Sequence, residues 1–195
     1  MTFDLNLTLS KTALVAIDLQ QGILNTRQLR PHSNQQVLTA ANQIAASLKN
    51  TPALITLVNV DAATMGYLHP FDQKPRHYPA DFGQLAMAIA TDTTAKNVIR
   101  VTKHNPGAFF GTDLDLQLRR RKIDTIILTG VVTTNGVYAT ALDAFQYGYR
   151  VILVADACAD RDAALHDTFI TKLFPKIATV ANTAQVRQAI TTAVD

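Results

Sequence analysis

Between residues 124 and 158 the sequence DTIILTGVVTTNGVYATALDAFQYGYRVILVADAC sets a strand, a tight Thr/Asn/Gly turn, a helix and a second strand end to end, with no filler. Strands that alternate with helices in this way argue for a parallel sheet covered on both faces. The turn also brings backbone N–H groups to a helix start, where anionic groups are stabilised. At that turn stands Gly136, so any side-chain chemistry there must come from other parts of the chain.

The same rhythm runs through the rest of the sequence. Apolar, β-rich runs at residues 13–17, 53–60, 98–102, 125–129, 150–155 and 177–180 read as six strands. The first, second, fourth and fifth are nearly continuous in Val, Ile, Leu and Ala, as expected where both sheet faces are buried. Helical patterns fall at residues 33–50, 114–121, 135–147, 162–173 and 183–194, with Ser33 and Thr183 as N-caps and Gly148 as a terminator. The expected fold is α/β: a three-layer α/β/α, Rossmann-like arrangement around a mostly parallel six-stranded sheet. A length of 195 residues suits one domain, residues 1–195. Residues 61–81 break the rhythm with HPF and KPRHYP, which is loop chemistry, and a connection of that length is expected to serve as a lid or binding loop.

Composition removes several classes of partner. Charged residues make up 17% of the chain, and no stretch approaches the roughly 20 apolar residues of a membrane span, so no membrane partner is expected. The start MTFDLNLTLSK lacks a basic region followed by an apolar core, and the single cysteine, Cys158, rules out an intramolecular disulfide; both fit a cytoplasmic protein. The net charge is +3, but the basic cluster Arg119-Arg120-Arg121-Lys122 closes a predicted helix, where cations complement the helix dipole. With no Trp for base stacking, no nucleic-acid partner is expected.

In open parallel sheets ligands bind beyond the carboxyl ends of the strands. Strand one ends in Ile17-Asp18-Leu19-Gln20, strand three in Thr102-Lys103-His104, and strand four in the turn of residues 130–136. A carboxylate, an ammonium and a helix start therefore share one rim. An unpaired carboxylate behind an apolar run is costly, and a nearby Lys offsets that cost. Taken singly, Asp18 also reads as a helix cap and Lys103 as a surface residue.

These residues resemble a known family, the isochorismatase-like hydrolases, or cysteine hydrolase superfamily, which includes nicotinamidases and carbamoylases. The resemblance covers nearly the whole chain: ALVAIDLQQGIL, KHNPGAFFGTDLDLQLRRRKIDTIILTG, GVVTTNGVYATALDAFQYGYRV, VADACADRDAALH and LFPKIATVANTAQV. It implies that Asp18 is the catalytic Asp and Lys103 the catalytic Lys. It also implies that Gly136 occupies the position of the nucleophilic Cys, a vacant nucleophile position shared with a subgroup that includes true isochorismatases. A cis peptide at Val131-Val132 is implied as well.

True isochorismatases carry Tyr-Ala-His before that Gly, whereas this chain has Val132-Thr133-Thr134-Asn135. The implied activity is therefore hydrolysis of a small ether, ester or amide, with Asp18 as general acid/base assisted by Lys103. The alternatives are a degenerate member that binds a small ligand, or an oligomeric structural or partner-binding protein. The zinc pattern of nicotinamidase-like members, Asp-x-His with a second His, is missing at Asp61-Ala62-Ala63; His69 and His77 read as loop residues, and neither metal nor cofactor is expected. Gln20, Val132, Asn135 and Tyr138 are further candidates for substrate contact, Tyr138 alternatively for a subunit contact in a homo-oligomer, dimer or tetramer. Phe109 and Phe110 are candidates for an apolar wall or for core packing. Cys158 reads as a buried small hydrophobe, Thr133 and Thr134 as turn and cap residues, and His166 as a structural hydrogen-bonding residue.

Overall fold

The computed structural model describes residues 5–25, 28–61 and 78–193. Among these, six parallel strands form one sheet in the order β3-β2-β1-β4-β5-β6: β1 Thr12–Ile17, β2 Leu54–Val60, β3 Val98–Lys103, β4 Thr125–Val131, β5 Arg150–Ala159 and β6 Thr179–Ala181. The helices are α1 Gln21–Leu24, α2 Asn34–Leu48, α3 Leu114–Arg120, α4 Tyr138–Gln146, α5 Ala163–Thr168 and α6 Thr183–Thr192. Most of the predicted loop of residues 61–81, including His69 and His77, lies outside the described residues.

Strand alternation divides the core in two. Leu14 and Ala16 of β1, with Ile55, Leu57 and Ile127, pack beneath Val37, Ile44 and Leu48 of α2 and Val186 and Ile190 of α6. Ala13, Val15 and Ile17, with Val58, Val101 and Leu128, pack against Leu114 and Leu118 of α3 and Ala141 and Ala144 of α4. Burial of both sheet faces accounts for the continuous apolar runs.

The order 3-2-1-4-5-6 reverses direction between β1 and β4, and at such a switch point the connections leave a crevice beyond the strand ends. β1 and β4 run in register from Thr12↔Thr125 to Ile17↔Gly130. Gly130 has φ +121°, and a Cβ there would lie 2.1 Å from the Ile17 carbonyl oxygen; only glycine lets the two strand ends stay this close.

Several predicted ends shift: β5 runs four residues further than expected, to Ala159, and β6 lies at Thr179–Ala181. Ser33 caps α2 with a reciprocal capping box through Gln36, as expected, but the cap of α6 is Asn182. Thr183 instead spends its N–H and hydroxyl on Asp156, at 2.7 and 2.9 Å. The helix after β4 begins earlier than the pattern suggested, with a π-type turn over Thr133–Val137. Within the basic cluster, Arg119 bonds Asp115 and the Tyr147 carbonyl, and Arg121 bonds Gln117.

Candidate active site

Asp18 follows β1 directly and turns the chain away from the sheet at φ +55°, the left-handed region that Asp tolerates better than bulkier residues. Its N–H still bonds the Val58 carbonyl at 2.9 Å, so the carboxylate is carried by the rigid sheet. Lys103 ends β3, two strands away. Its stem spans that gap beneath the surface and brings Nζ to 2.9 Å from Asp18 Oδ2. Lys103 is 2% exposed and Asp18 6%. The ammonium also donates to the Pro106 carbonyl at 2.6 Å.

The π-type turn after β4 supplies the third side. A Cβ on Gly136 would lie 3.1 Å from Lys103 Nζ, 3.3 Å from Asp18 Oδ2 and 3.2 Å from Ile17 Cγ2. A side chain here would need the ion pair to give by a few tenths of an ångström. The Val131–Val132 peptide before the turn is cis. The threonines of the turn and of the helix after it are engaged: Thr133 Oγ1 lies 2.8 Å from His166 Nδ1, and Thr134 donates both N–H and hydroxyl to Asp160 Oδ2 at 2.8 Å. Thr140 donates to the Gly136 carbonyl at 2.7 Å and accepts from the Ala108 N–H at 3.1 Å, joining the turn to the loop after β3. Cys158 is fully buried on β5, and burial pushes its thiol up to about 12. The described residues therefore bring a carboxylate and an ammonium to this point, and the thiol of Cys158 and the hydroxyls of Thr133, Thr134 and Thr140 are engaged or buried elsewhere.

A family model for the isochorismatase domain matches residues 12–185, spanning every element that builds this site. The chain belongs to the isochorismatase family. It is 36% identical to the isochorismatase family protein YecD of Escherichia coli O157:H7 over 95% of this chain and all of that one. An isochorismatase family protein from Burkholderia thailandensis superposes with a TM-score of 0.83 at 35% identity, covering 95% of this chain and 98% of that one. The pyrazinamidase/nicotinamidase from Streptococcus mutans UA159 shares 27% identity at a TM-score of 0.74, over 87% of this chain and 99% of that one. The chain is a hydrolase of the isochorismatase family.

In this family fold a small cavity of about 50 Å³ opens on the pair, and Val132 and Asn135 line it together with Asp18, Lys103 and Gly136. The other candidates for substrate contact lie elsewhere. Gln20 is completely buried: its Nε2 donates to the Phe82 and Val60 carbonyls at 2.8 and 3.3 Å, and its Oε1 accepts from the Val60 N–H at 2.8 Å, so it acts as a strut. Phe109 packs into the core beside Tyr147 and Tyr149, the core-packing alternative, and Phe110 is 72% exposed; neither lines this cavity. Tyr138, partly buried, packs edge-on against Phe169 and Phe174 at the margin of the core and does not line the cavity.

The walls that sequence reasoning missed are Ile23, Val60, Phe82, Asn105, Pro106 and Val131. Of these Asn105 and Pro106 carried a signal, standing two and three residues after Lys103, as did Val131, directly before Val132. Phe82 is seated against Gly22, where a Cβ would come within 2.1 Å of its ring, and that long-range contact leaves no local pattern. Among the described residues no three His, Cys, Asp or Glu side chains converge as a metal site.

Proposed function

We propose that the chain hydrolyses an ether, ester or amide bond of a small molecule, with Asp18 as the proton carrier, Lys103 as its electrostatic partner, and water as the nucleophile. The observation that carries this reading is the buried Asp18–Lys103 pair closing over Gly136, the position that the resemblance to cysteine hydrolases implies for a thiol. In an enol ether, the protonated Asp18 carboxyl gives its proton to the vinyl carbon and water adds to the resulting oxocarbenium carbon. That water returns a proton to Asp18, and the hemiketal collapses to a carbonyl and an alcohol. With an ester or amide, the Asp18 carboxylate takes the proton of the attacking water and delivers it to the leaving group. In both cases Lys103 stabilises the carboxylate form and positions it.

Covalent thiol catalysis is disfavoured because the chain's one cysteine is fully buried on β5 and kept protonated. The test is a screen of isochorismate, nicotinamide, N-carbamoyl compounds and simple esters on the wild type and on Asp18→Asn. A hydrolysed substrate whose turnover falls at least 100-fold in Asp18→Asn is expected; turnover preserved in that variant would remove Asp18 from the chemistry.

A further inference from the structure

We infer that Asp160 is a positioning residue of the candidate active site: from outside the cavity, its carboxylate grips Thr134 and so fixes where Gly136 stands against the ion pair. The inference rests on the reading of the Asp18–Lys103 cavity as the substrate site. Asp160 follows β5 directly, one residue after the last pair of the β4–β5 ladder, Val131↔Ala159. Between Leu128↔Leu153 and Gly130↔Cys158 the register slips, β5 advancing five residues where β4 advances two, and in that shifted register Asp160 meets the turn after β4. Its backbone is pinned there: the carbonyl accepts from the Arg30 N–H at 2.6 Å, and the N–H donates to the Arg30 carbonyl at 2.7 Å. Asp160 is 4% exposed and does not line the cavity.

What this carboxylate binds sets its role. Oδ2 accepts from both the N–H and the hydroxyl of Thr134 at 2.8 Å, and Oδ1 accepts from the Arg161 N–H at 2.7 Å. Three donors converge on one group, and a carboxylate, with two accepting oxygens and no donor, satisfies them all; a carboxamide would turn an NH2 towards one of them. The Thr134 N–H belongs to the first turn of the helical run that continues into α4, where N–H groups lack partners within the helix and a negative charge is favourable. His166 holds the preceding residue, Thr133, so the turn is gripped at consecutive positions from β5 and α5. Two residues beyond Thr134, Gly136 lines the cavity, and a Cβ there would lie 3.1 Å from Lys103 Nζ. A turn released from Asp160 therefore shifts against the ion pair, and misplacement by about 1 Å at a reacting centre costs about 10²-fold in rate.

The experiment uses the full chain in two arms. Asp160→Ala removes the grip; Thr134→Val removes one of its bonds and keeps the shape of the side chain; Thr134→Ser keeps both bonds and is the rescue. The first arm needs no ligand: in nuclear magnetic resonance spectra, Asp160→Ala and Thr134→Val are expected to move the Gly136 amide signal and the Asp18 carboxyl carbon, which neither substituted side chain touches. The signals of α3 stay in place, and Thr134→Ser keeps the wild-type positions. The second arm takes the substrate of the screen above whose turnover depends on Asp18, at a temperature where every variant is fully folded. There kcat is expected to fall tenfold or more in Asp160→Ala and threefold or more in Thr134→Val, and to return to within twofold of wild type in Thr134→Ser. The double variant is expected to match Asp160→Ala within twofold, because both substitutions act through one link. A purely structural role would lower the melting temperature and leave the kcat of the folded protein unchanged.

Gly136 and Asp18 signals unmoved in both variants, kcat within twofold of wild type in both, losses that multiply in the double variant, or a Thr134→Ser chain that behaves like Thr134→Val would each overturn the inference. If Asp160→Ala does not accumulate as folded protein, Thr134→Val against Thr134→Ser decides the matter. Failure here is separable from failure of the hydrolase reading. Asp18-dependent turnover untouched by both variants leaves the hydrolase standing and removes Asp160 as its positioning residue. Displaced Gly136 and Asp18 signals without Asp18-dependent turnover of any substrate do the opposite.

Discussion

Replacing Lys103 with Met tests the energetic core of the site. Met has nearly the same length and flexibility, so the stem's packing is kept while the ammonium disappears, along with its bonds to Asp18 Oδ2 at 2.9 Å and to the Pro106 carbonyl at 2.6 Å. Because the two side chains are only 2% and 9% exposed, the abandoned carboxylate gains little help from solvent. Removing one partner of a buried pair costs about 3–5 kcal/mol. In a chain of 195 residues, at roughly 2–4 °C per kcal/mol, this corresponds to a melting temperature lower by about 6–20 °C.

Urea unfolding followed by circular dichroism gives the free energy directly, provided the slope with denaturant stays constant. Asp18→Asn is expected to cost less, about 1–3 kcal/mol, since an amide oxygen can still accept from Nζ. The double variant removes both charges and should be less destabilised than the sum of the two singles by about 2 kcal/mol or more. A melting temperature lowered by less than 3 °C in Lys103→Met, or a double variant additive within about 0.5 kcal/mol, would refute the argument that burial makes this pair interdependent.

Three further outcomes follow from the geometry. Gly136→Cys needs the ion pair to give by a few tenths of an ångström around a Cβ 3.1 Å from Nζ, and is expected to cost about 1–3 kcal/mol; iodoacetamide should then label one thiol per native chain, at position 136, with Cys158 silent until unfolding, as mass spectrometry of the digest will show. Gly130→Ala drives a methyl to 2.1 Å from the Ile17 carbonyl oxygen, so a loss above about 4 kcal/mol, or failure to accumulate as soluble protein, is expected; a variant melting within 4 °C of the wild type would contradict the close approach. His166 is held below its usual value of 6.5, first by burial and then by the neighbouring His32 ring. The unfolded state therefore takes up its proton more readily, and the stabilisation present above pH 6.5 is lost as pH falls through it. The melting temperature should drop more steeply between pH 7 and 5 in the wild type than in His166→Gln.

The strands were legible because both faces of the sheet are covered, so burial wrote itself into continuous apolar runs such as Ala13-Leu14-Val15-Ala16-Ile17. Asp18, Lys103 and Gly136 were legible too, because each stands at the carboxyl end of a strand or in the turn that follows, and parallel topology gathers those ends. Walls supplied from elsewhere in the sequence were not. Phe82 reaches the cavity by packing on Gly22, 60 positions earlier, and the Tyr138 side chain is captured by Phe169 and Phe174 through contacts that no local period encodes. Thr183 was misread as a cap because Asp156, on β5, competes for its hydroxyl and N–H. Local pattern fixes which residues arrive at the rim, and tertiary packing decides which way they face.

The buried amide of Gln20 ties Val60 and Phe82 together through three hydrogen bonds to their backbones. The chain between those two residues thus leaves from and returns to a fixed clasp, whatever its own composition. One glutamine therefore holds two wall residues of the cavity, 22 positions apart in sequence, in a fixed relation to the end of β1.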